Sequence, residues 1–282
     1  MPLRLQAADG YALAATHFPA AGPHWIVVGS ATAVPRGFYR RFAEFAQGRG
    51  VHVLTLDYRG IGGSAPKSLR GFSPDLLDWA RQDLAAAVDH ASARGPTWLV
   101  GHSYGGHAIG LLPRPELLRG AYACASGAGW HGYMPWRERI KVWLLWHAVG
   151  PLAVPVLGYQ PLKAMGIGEN LPASVYRQWK RWCNLPHYFF DDPQAAAVTA
   201  GFDRVRLPIA AANALDDDWA LPVSRDAFFK GYRNAPVDRI DLDPGALGLP
   251  AIGHMGYFRE PVGRVLWPLM FEWLRTKGMN LD

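Results

Sequence analysis

Gly101-His102-Ser103-Tyr104-Gly105-Gly106 sets a serine between glycines, directly after an apolar run, Thr97 to Val100, and directly before a run with helical spacing, Tyr104 to Leu112. In that context the pattern reads as a nucleophile elbow, a sharp strand-to-helix turn that lifts the serine hydroxyl above a sheet. Gly101 and Gly105 leave the room such a turn needs, and the helix N-terminus behind the serine favours a developing oxyanion. A serine hydroxyl is a poor nucleophile by itself. It needs a neighbouring base, which in turn needs an acid to orient it. His254, in Gly253-His254-Met255-Gly256, and one of Asp216-Asp217-Asp218 offer these groups in the chain order Ser, Asp, His that suits an elbow of this kind. His102 and His107 flank the serine and are expected to pack or to shape the pocket. Every role in acyl transfer is then filled by a side chain or a backbone donor, so no metal or organic cofactor is expected. The two cysteines, Cys124 and Cys183, have no partner at metal-ligand spacing.

These residues need a framework to position them, and the hydrophobic pattern supplies one. Leu3 to Phe18 reads as two strands joined at Asp9-Gly10, an antiparallel start. Apolar strands at Trp25 to Val28, Val51 to Leu56, Thr97 to Val100 and Gly120 to Ser126 then alternate with helical runs. The first of these carries Phe38, Phe42 and Phe45, and the second is expected to open at Ser73-Pro74 and continue to Gly95. Such alternation predicts an α/β fold with a doubly wound, mostly parallel sheet. From Gly127 to about Asp203 the alternation stops in a Trp-, Pro- and Gly-rich stretch, and it resumes with strands Ile209 to Ala214 and Val237 to Leu242 and a helix over Arg259 to Lys277. The expected organisation is a core of residues 1–126 and 204–282 with a helical lid over 127–203.

The chain has 282 residues, 50% hydrophobic and 18% charged, which excludes a disordered polyelectrolyte. Its net charge of +6 is scattered, with small clusters at Arg36/Arg40/Arg41 and Arg177/Lys180/Arg181, so no nucleic-acid partner is expected. Val142 to Leu162 carries no formal charge and is nominally long enough to span a bilayer. His147, Gly150, Pro151 and Pro155 are expected to break it, which favours a lid or a buried helix pair over an integral membrane segment and leaves surface association open. Few cysteines and no leader-like N-terminus make a cytoplasmic location the expectation.

The elbow, the segment Asp57-Tyr58-Arg59-Gly60-Ile61-Gly62-Gly63-Ser64, the acid after a late strand and the final histidine loop together resemble the α/β-hydrolase superfamily, over about Asp9 to Trp273. Ala31-Thr32-Ala33-Val34-Pro35, Leu171-Pro172 with Gln178-Trp179, and Ile252 to Arg259 with Leu266-Trp267 are similar to a bacterial group of predicted hydrolases of undefined substrate. The resemblance implies an α/β-hydrolase fold and a carboxylesterase-like serine hydrolase, here expected to act on the ester, thioester or amide bond of a small molecule; the tryptophans and the uncharged run in 127–203 add the expectation of an apolar acyl portion. Ser103 would be the nucleophile and His254 the base. Asp217 is the favoured acid, because an apolar residue, Trp219, follows two positions on and a proline turn comes after. The oxyanion hole would be the backbone N–H of Tyr104 with that of Thr32, Ala31 being nearly as good, in a loop that lacks the superfamily's usual His-Gly pair. Asp57 and Arg59 read as structural ties. In the lid, Trp130, His131 and Tyr133 are the expected substrate contacts, since they follow the strand end most closely. Acyl transfer to an alcohol, or ligand binding without catalysis, are the alternatives the same residues allow.

Overall fold

The computed structural model describes residues 1 to 281. It opens with the expected hairpin, β1 (Pro2–Gln6) paired antiparallel with β2 (Ala12–Phe18), and Gly10 turns at φ 85°, a backbone region that suits glycine. Strands and helices then alternate through β3 (Trp25–Gly29), α1 (Arg40–Gln47), β4 (His52–Leu56), α2 (Ala85–Ser92), β5 (Thr97–His102), α3 (Tyr104–His107) and β6 (Leu118–Cys124). The stretch that follows holds α4 (Trp136–Leu144), α5 (Gly150–Leu157), the two-residue strands β7 (Tyr159–Gln160) and β8 (Leu171–Pro172), α6 (Ala173–Cys183) and α7 (Ala196–Thr199). The sheet pattern returns with β9 (Ile209–Ala214), α8 (Pro222–Phe229), β10 (Val237–Leu242) and α9 (Val262–Thr276).

Eight strands form one sheet in the order β1-β2-β4-β3-β5-β6-β9-β10, parallel throughout from β4 to β10. The central strands β3 and β5 are buried along their whole length, which is why they read as continuous apolar runs with no alternation. One face of the sheet packs against α1 and α9 through Phe42, Trp267 and Phe271. The other packs against α2 and the β6–β9 segment, where Phe189 and Phe202 meet each other at a tilt and Phe228 of α8 edge-on.

The β6–β9 segment is fastened to the rest of the molecule by polar bonds as well. Leu76 N–H donates to the Gln178 side chain at 2.6 Å, Ser174 Oγ donates to the Pro74 carbonyl at 2.6 Å, and Glu169 N–H donates to the Ala33 carbonyl at 2.8 Å. One departure from expectation lies beside the first of these bonds. Regular helix begins near Trp79 instead of at Ser73-Pro74; in the stretch before it the Asp75 and Asp78 side chains accept the N–H groups of Leu77 and Asp75, and Leu76 is held by Gln178 and the Tyr104 hydroxyl. The second departure lies in α4 and α5, which a π-helical turn (Leu145–Val149) joins into one helical run, Trp136–Leu157, despite Gly150, Pro151 and Pro155. Both prolines lie on the exposed side of the run, where carbonyls left without a donor meet solvent. By length and composition this run could cross a membrane. Here it folds onto the protein, burying Val142, Leu145, Trp146 and Val154.

Candidate active site

Ser103 stands at the turn between β5 and α3 with φ 52° and ψ −110°, a strained conformation for a residue with a Cβ. Close packing of the backbone enforces it. A Cβ on Gly105 would lie 2.1 Å from the Gly29 carbonyl oxygen of β3, and one on Gly101 would lie 2.5 Å from the Gly105 carbonyl. Only glycine lets helix and strands approach so closely. Ser103 N–H donates to the Cys124 carbonyl at 2.9 Å and Ser126 Oγ donates to the Ser103 carbonyl at 2.8 Å, so β6 holds the turn from the other side.

His254 arrives on the loop after β10 and sets Nε2 3.2 Å from Ser103 Oγ. Its Nδ1 lies 3.0 Å from both carboxylate oxygens of Asp217, which is fully buried at the end of β9. The Asp217 carboxylate also accepts the N–H groups of Trp219 and Ala220 at 3.0 and 3.1 Å, fixing its orientation. The neighbouring aspartates do other things. Asp216 accepts the N–H groups of Ile252 and Gly253 at 2.8 and 3.0 Å, anchoring the histidine loop, while Asp218 is exposed.

A buried relay runs beneath these residues. Ala31 N–H donates to the Tyr39 hydroxyl at 2.8 Å, that hydroxyl lies 3.0 Å from His102 Nδ1, and His102 Nε2 lies 2.8 Å from the His254 carbonyl. A carbonyl can only accept, so His102 carries its proton on Nε2 and takes the Tyr39 hydrogen on Nδ1. Burial, reinforced by the nearby His254, pushes the His102 pKa down to about 3, so the ring is neutral. The relay also settles which N–H groups of the β3 loop are free. That of Ala31 is taken; those of Thr32 and Ala33, and that of Tyr104, the first residue of α3, find no acceptor among the described residues.

Asp57 braces this loop from behind by accepting the N–H groups of Arg36 and Gly63 at 2.6 and 2.8 Å and pairing with the Arg36 guanidinium. Arg59 bridges Asp83 and Asp9. Both fit the structural reading.

Ser103, His254, Thr32 and Ala31 open into a cavity of about 300 Å³. Its walls differ from those expected. Trp130, His131 and Tyr133 do not line it: Gly129 turns the chain away at φ 65°, Trp130 packs on Tyr133, and the carbonyls of His131 and Gly132 are drawn to the Arg139 guanidinium. Trp179 of α6, Trp219, Ile167 and Met255 take their place, with Glu138 and Arg259 as the charged members of the wall. Trp179 stacks on Trp219 at 5.9 Å and meets Trp146 edge-on at 4.8 Å. Glu138 accepts from Trp219 Nε1 at 3.0 Å and from Lys141 at 2.8 Å. In sequence, Glu138 sits among arginines and looks like part of a solvated helix face, so nothing there marks it. His107 also faces the cavity; its Nε2 donates to the Gly127 carbonyl at 2.7 Å, and burial pushes its pKa down to about 4.

Comparison with known proteins adds the following. A family model described as "Alpha/beta hydrolase family" matches residues 17–266. No curated protein sequence matches. Among solved structures, a soluble variant of monoglyceride lipase from Saccharomyces cerevisiae aligns with a TM-score of 0.70 at 13% identity, over 98% of this chain and 96% of that one. An esterase from Exiguobacterium antarcticum aligns at 0.63 and 12% identity, over 98% and 100% of the two chains. Est1E from Butyrivibrio proteoclasticus, with ferulic acid bound, aligns at 0.63 and 15% identity, over 98% of each. At these identities the likeness is one of fold.

Proposed function

The chain belongs to the α/β hydrolase family, and from that premise we propose that it is a serine hydrolase cleaving the ester bond of a small molecule through an acyl-enzyme intermediate. The observation that carries the proposal is the unbroken line of hydrogen bonds from Ser103 Oγ through His254 to Asp217, opening on a cavity with apolar walls. In this reading Ser103 Oγ attacks the substrate carbonyl carbon while His254 Nε2 takes its proton, and Asp217 holds the imidazole in the required tautomer and stabilises its positive form. The negative charge that develops on the carbonyl oxygen is met by the free N–H groups of Tyr104 and Thr32. As the tetrahedral intermediate collapses, the bond to the leaving alcohol breaks and His254 returns the proton to it. Water then repeats the sequence on the acyl-enzyme and releases the acid.

Residues 127–203 act as the lid of this site, and the acyl portion lies against Trp179, Trp219 and Ile167, which favours apolar groups. The same residues would process a thioester or amide of suitable shape. The lipase and esterase folds that this chain resembles are consistent with the reading. The test is labelling with a fluorophosphonate probe followed by peptide mass spectrometry. The adduct is expected on Ser103 alone and absent from Ser103→Ala. Labelling at another residue, or undiminished labelling of the variant, overturns the assignment.

A further inference from the structure

The helical run Trp136–Leu157 has its polarity reversed. A surface helix normally turns charge outward, yet from Trp143 onward the exposed side of this one carries Trp143, Leu144, Val149, Leu152 and Val156 with no formal charge among them. Leu152 and Val156 are 74% and 68% exposed, more than an apolar side chain on a solvated helix needs to be. Upstream, Trp136 and Ile140 are exposed as well, and further along the segment so are Met165 and Ile167, the latter a wall of the cavity that holds Ser103.

Charge surrounds the strip. Between Gly127 and Phe190 the chain has seven arginines and lysines against two glutamates, a surplus of five within a net charge of +6 for the whole. Arg137, Lys141 and Lys163 lie towards one end. Arg177, Lys180 and Arg181 of α6 form the far wall of a groove whose near wall is Gly150, Pro151, Val154 and Pro155 of the helix. Glu138 pairs with Lys141, Glu169 with Lys163, and Arg181 with Asp192 just past this stretch, which leaves Arg137, Arg139, Arg177 and Lys180 without an ion pair among the described residues.

We propose that this face docks on the surface of an anionic phospholipid bilayer, with α4 and α5 lying in the plane of the interface. Apolar side chains with tryptophans enter the headgroup boundary, and the basic rim meets lipid phosphates. A second copy of the chain fits the face less well, because a two-fold pairing would bring the same basic rims together. A spanning orientation conflicts with the inner side of the run, where Trp146 is packed on Tyr176 and Trp179. Docked in this way, the apolar mouth at Ile167 opens towards the lipid, the natural source of an apolar acyl substrate. That last point rests on the hydrolase reading; the docking does not.

The test is co-sedimentation of the full chain with sucrose-loaded vesicles of phosphatidylcholine, alone or mixed with phosphatidylglycerol. Wild type and Ser103→Ala are both expected to pellet with the anionic vesicles, less with the neutral ones, and less as salt rises. The double variant Leu152→Asp/Val156→Asp is expected to bind at least roughly tenfold more weakly while keeping its melting temperature and its turnover of a soluble nitrophenyl ester. No pelleting with either vesicle, equal pelleting with both, or full binding by the double variant each overturns the proposal. So does a wild-type dimer in analytical ultracentrifugation that ignores vesicles and is dissolved by the double substitution, which assigns the face to a second copy. Because vesicle binding is read without turnover, failure here leaves the hydrolase reading standing, and failure of Ser103 labelling leaves the docking standing.

Discussion

The buried relay makes acid stability a test of the site's architecture. His102 is fully buried and neutral, with its pKa pushed down from 6.5 to about 3 by loss of solvent and by His254. In the unfolded chain the same ring titrates near 6.5. Between those values the unfolded state binds the proton that the folded state refuses, so stability rises with pH across this window and is lost as pH falls from about 6.5 towards 3. The slope from this one group is about 1.4 kcal/mol per pH unit. Replacing it by His102→Gln removes that slope while costing, at neutral pH, about 1–3 kcal/mol for the disturbed bonds to Tyr39 and the His254 carbonyl. The two stability curves should therefore converge on acidification and meet near pH 5, about one and a half units below the unfolded pKa for a 2 kcal/mol deficit. Urea unfolding of wild type and variant at half-unit steps from pH 7.5 to 4.5 measures the difference directly, and the titrations of all other groups cancel in it. A constant gap over that range refutes the neutral, donor-on-Nε2 assignment and the relay drawn from it.

Three further outcomes follow from the geometry. Asp217→Asn should lower turnover by roughly 10⁴-fold with little change in melting temperature, whereas Asp216→Asn should chiefly destabilise the histidine loop, since its carboxylate accepts two backbone N–H groups there; a steady-state assay beside a thermal melt separates them, and the reverse pattern would show the wrong acid has been named. Gly105→Ala should cost about 3 kcal/mol or more in urea unfolding, because its Cβ would lie 2.1 Å from the Gly29 oxygen, and an unchanged midpoint would mean that β3 and α3 are not in backbone contact. Medium-chain nitrophenyl esters should show higher kcat/KM than the acetate, in a broad preference worth roughly 1–3 kcal/mol per added methylene at most, and Trp179→Ala should flatten it; higher kcat/KM for acetate contradicts the apolar wall.

The strands were legible because buried parallel strands leave the same trace in sequence as in space. Trp25 to Val28 and Thr97 to Val100 are apolar without alternation, and each is bounded by glycine or proline. The elbow was legible because a steric demand at Gly101 and Gly105 admits one residue type. The walls of the cavity were not. Proximity to the strand end pointed to Trp130, His131 and Tyr133, but a positive-φ glycine at 129 redirects the chain, and the wall is built by Trp179, fifty residues later, whose inward aim depends on Trp146 and Trp219 packing around it. The stretch Val142 to Leu162 departs from expectation for a related reason: its prolines read as breakers, while a π turn and an exposed face absorb them and the helix runs on to Leu157. The link through Tyr39 and His102 joins residues 31, 39, 102 and 254, and no spacing in the sequence announces it.

One bond of the β6–β9 segment reaches the loop after β3. Glu169 N–H donates to the carbonyl of Ala33, a residue held at φ 64° next to Thr32. In the proposed mechanism that loop supplies one of the two N–H groups that meet the oxyanion, so the geometry of one donor is set in part by a segment far along the chain. A substitution that loosens the β6–β9 segment near Glu169 would then alter the site through the backbone, with every side chain of the triad in place.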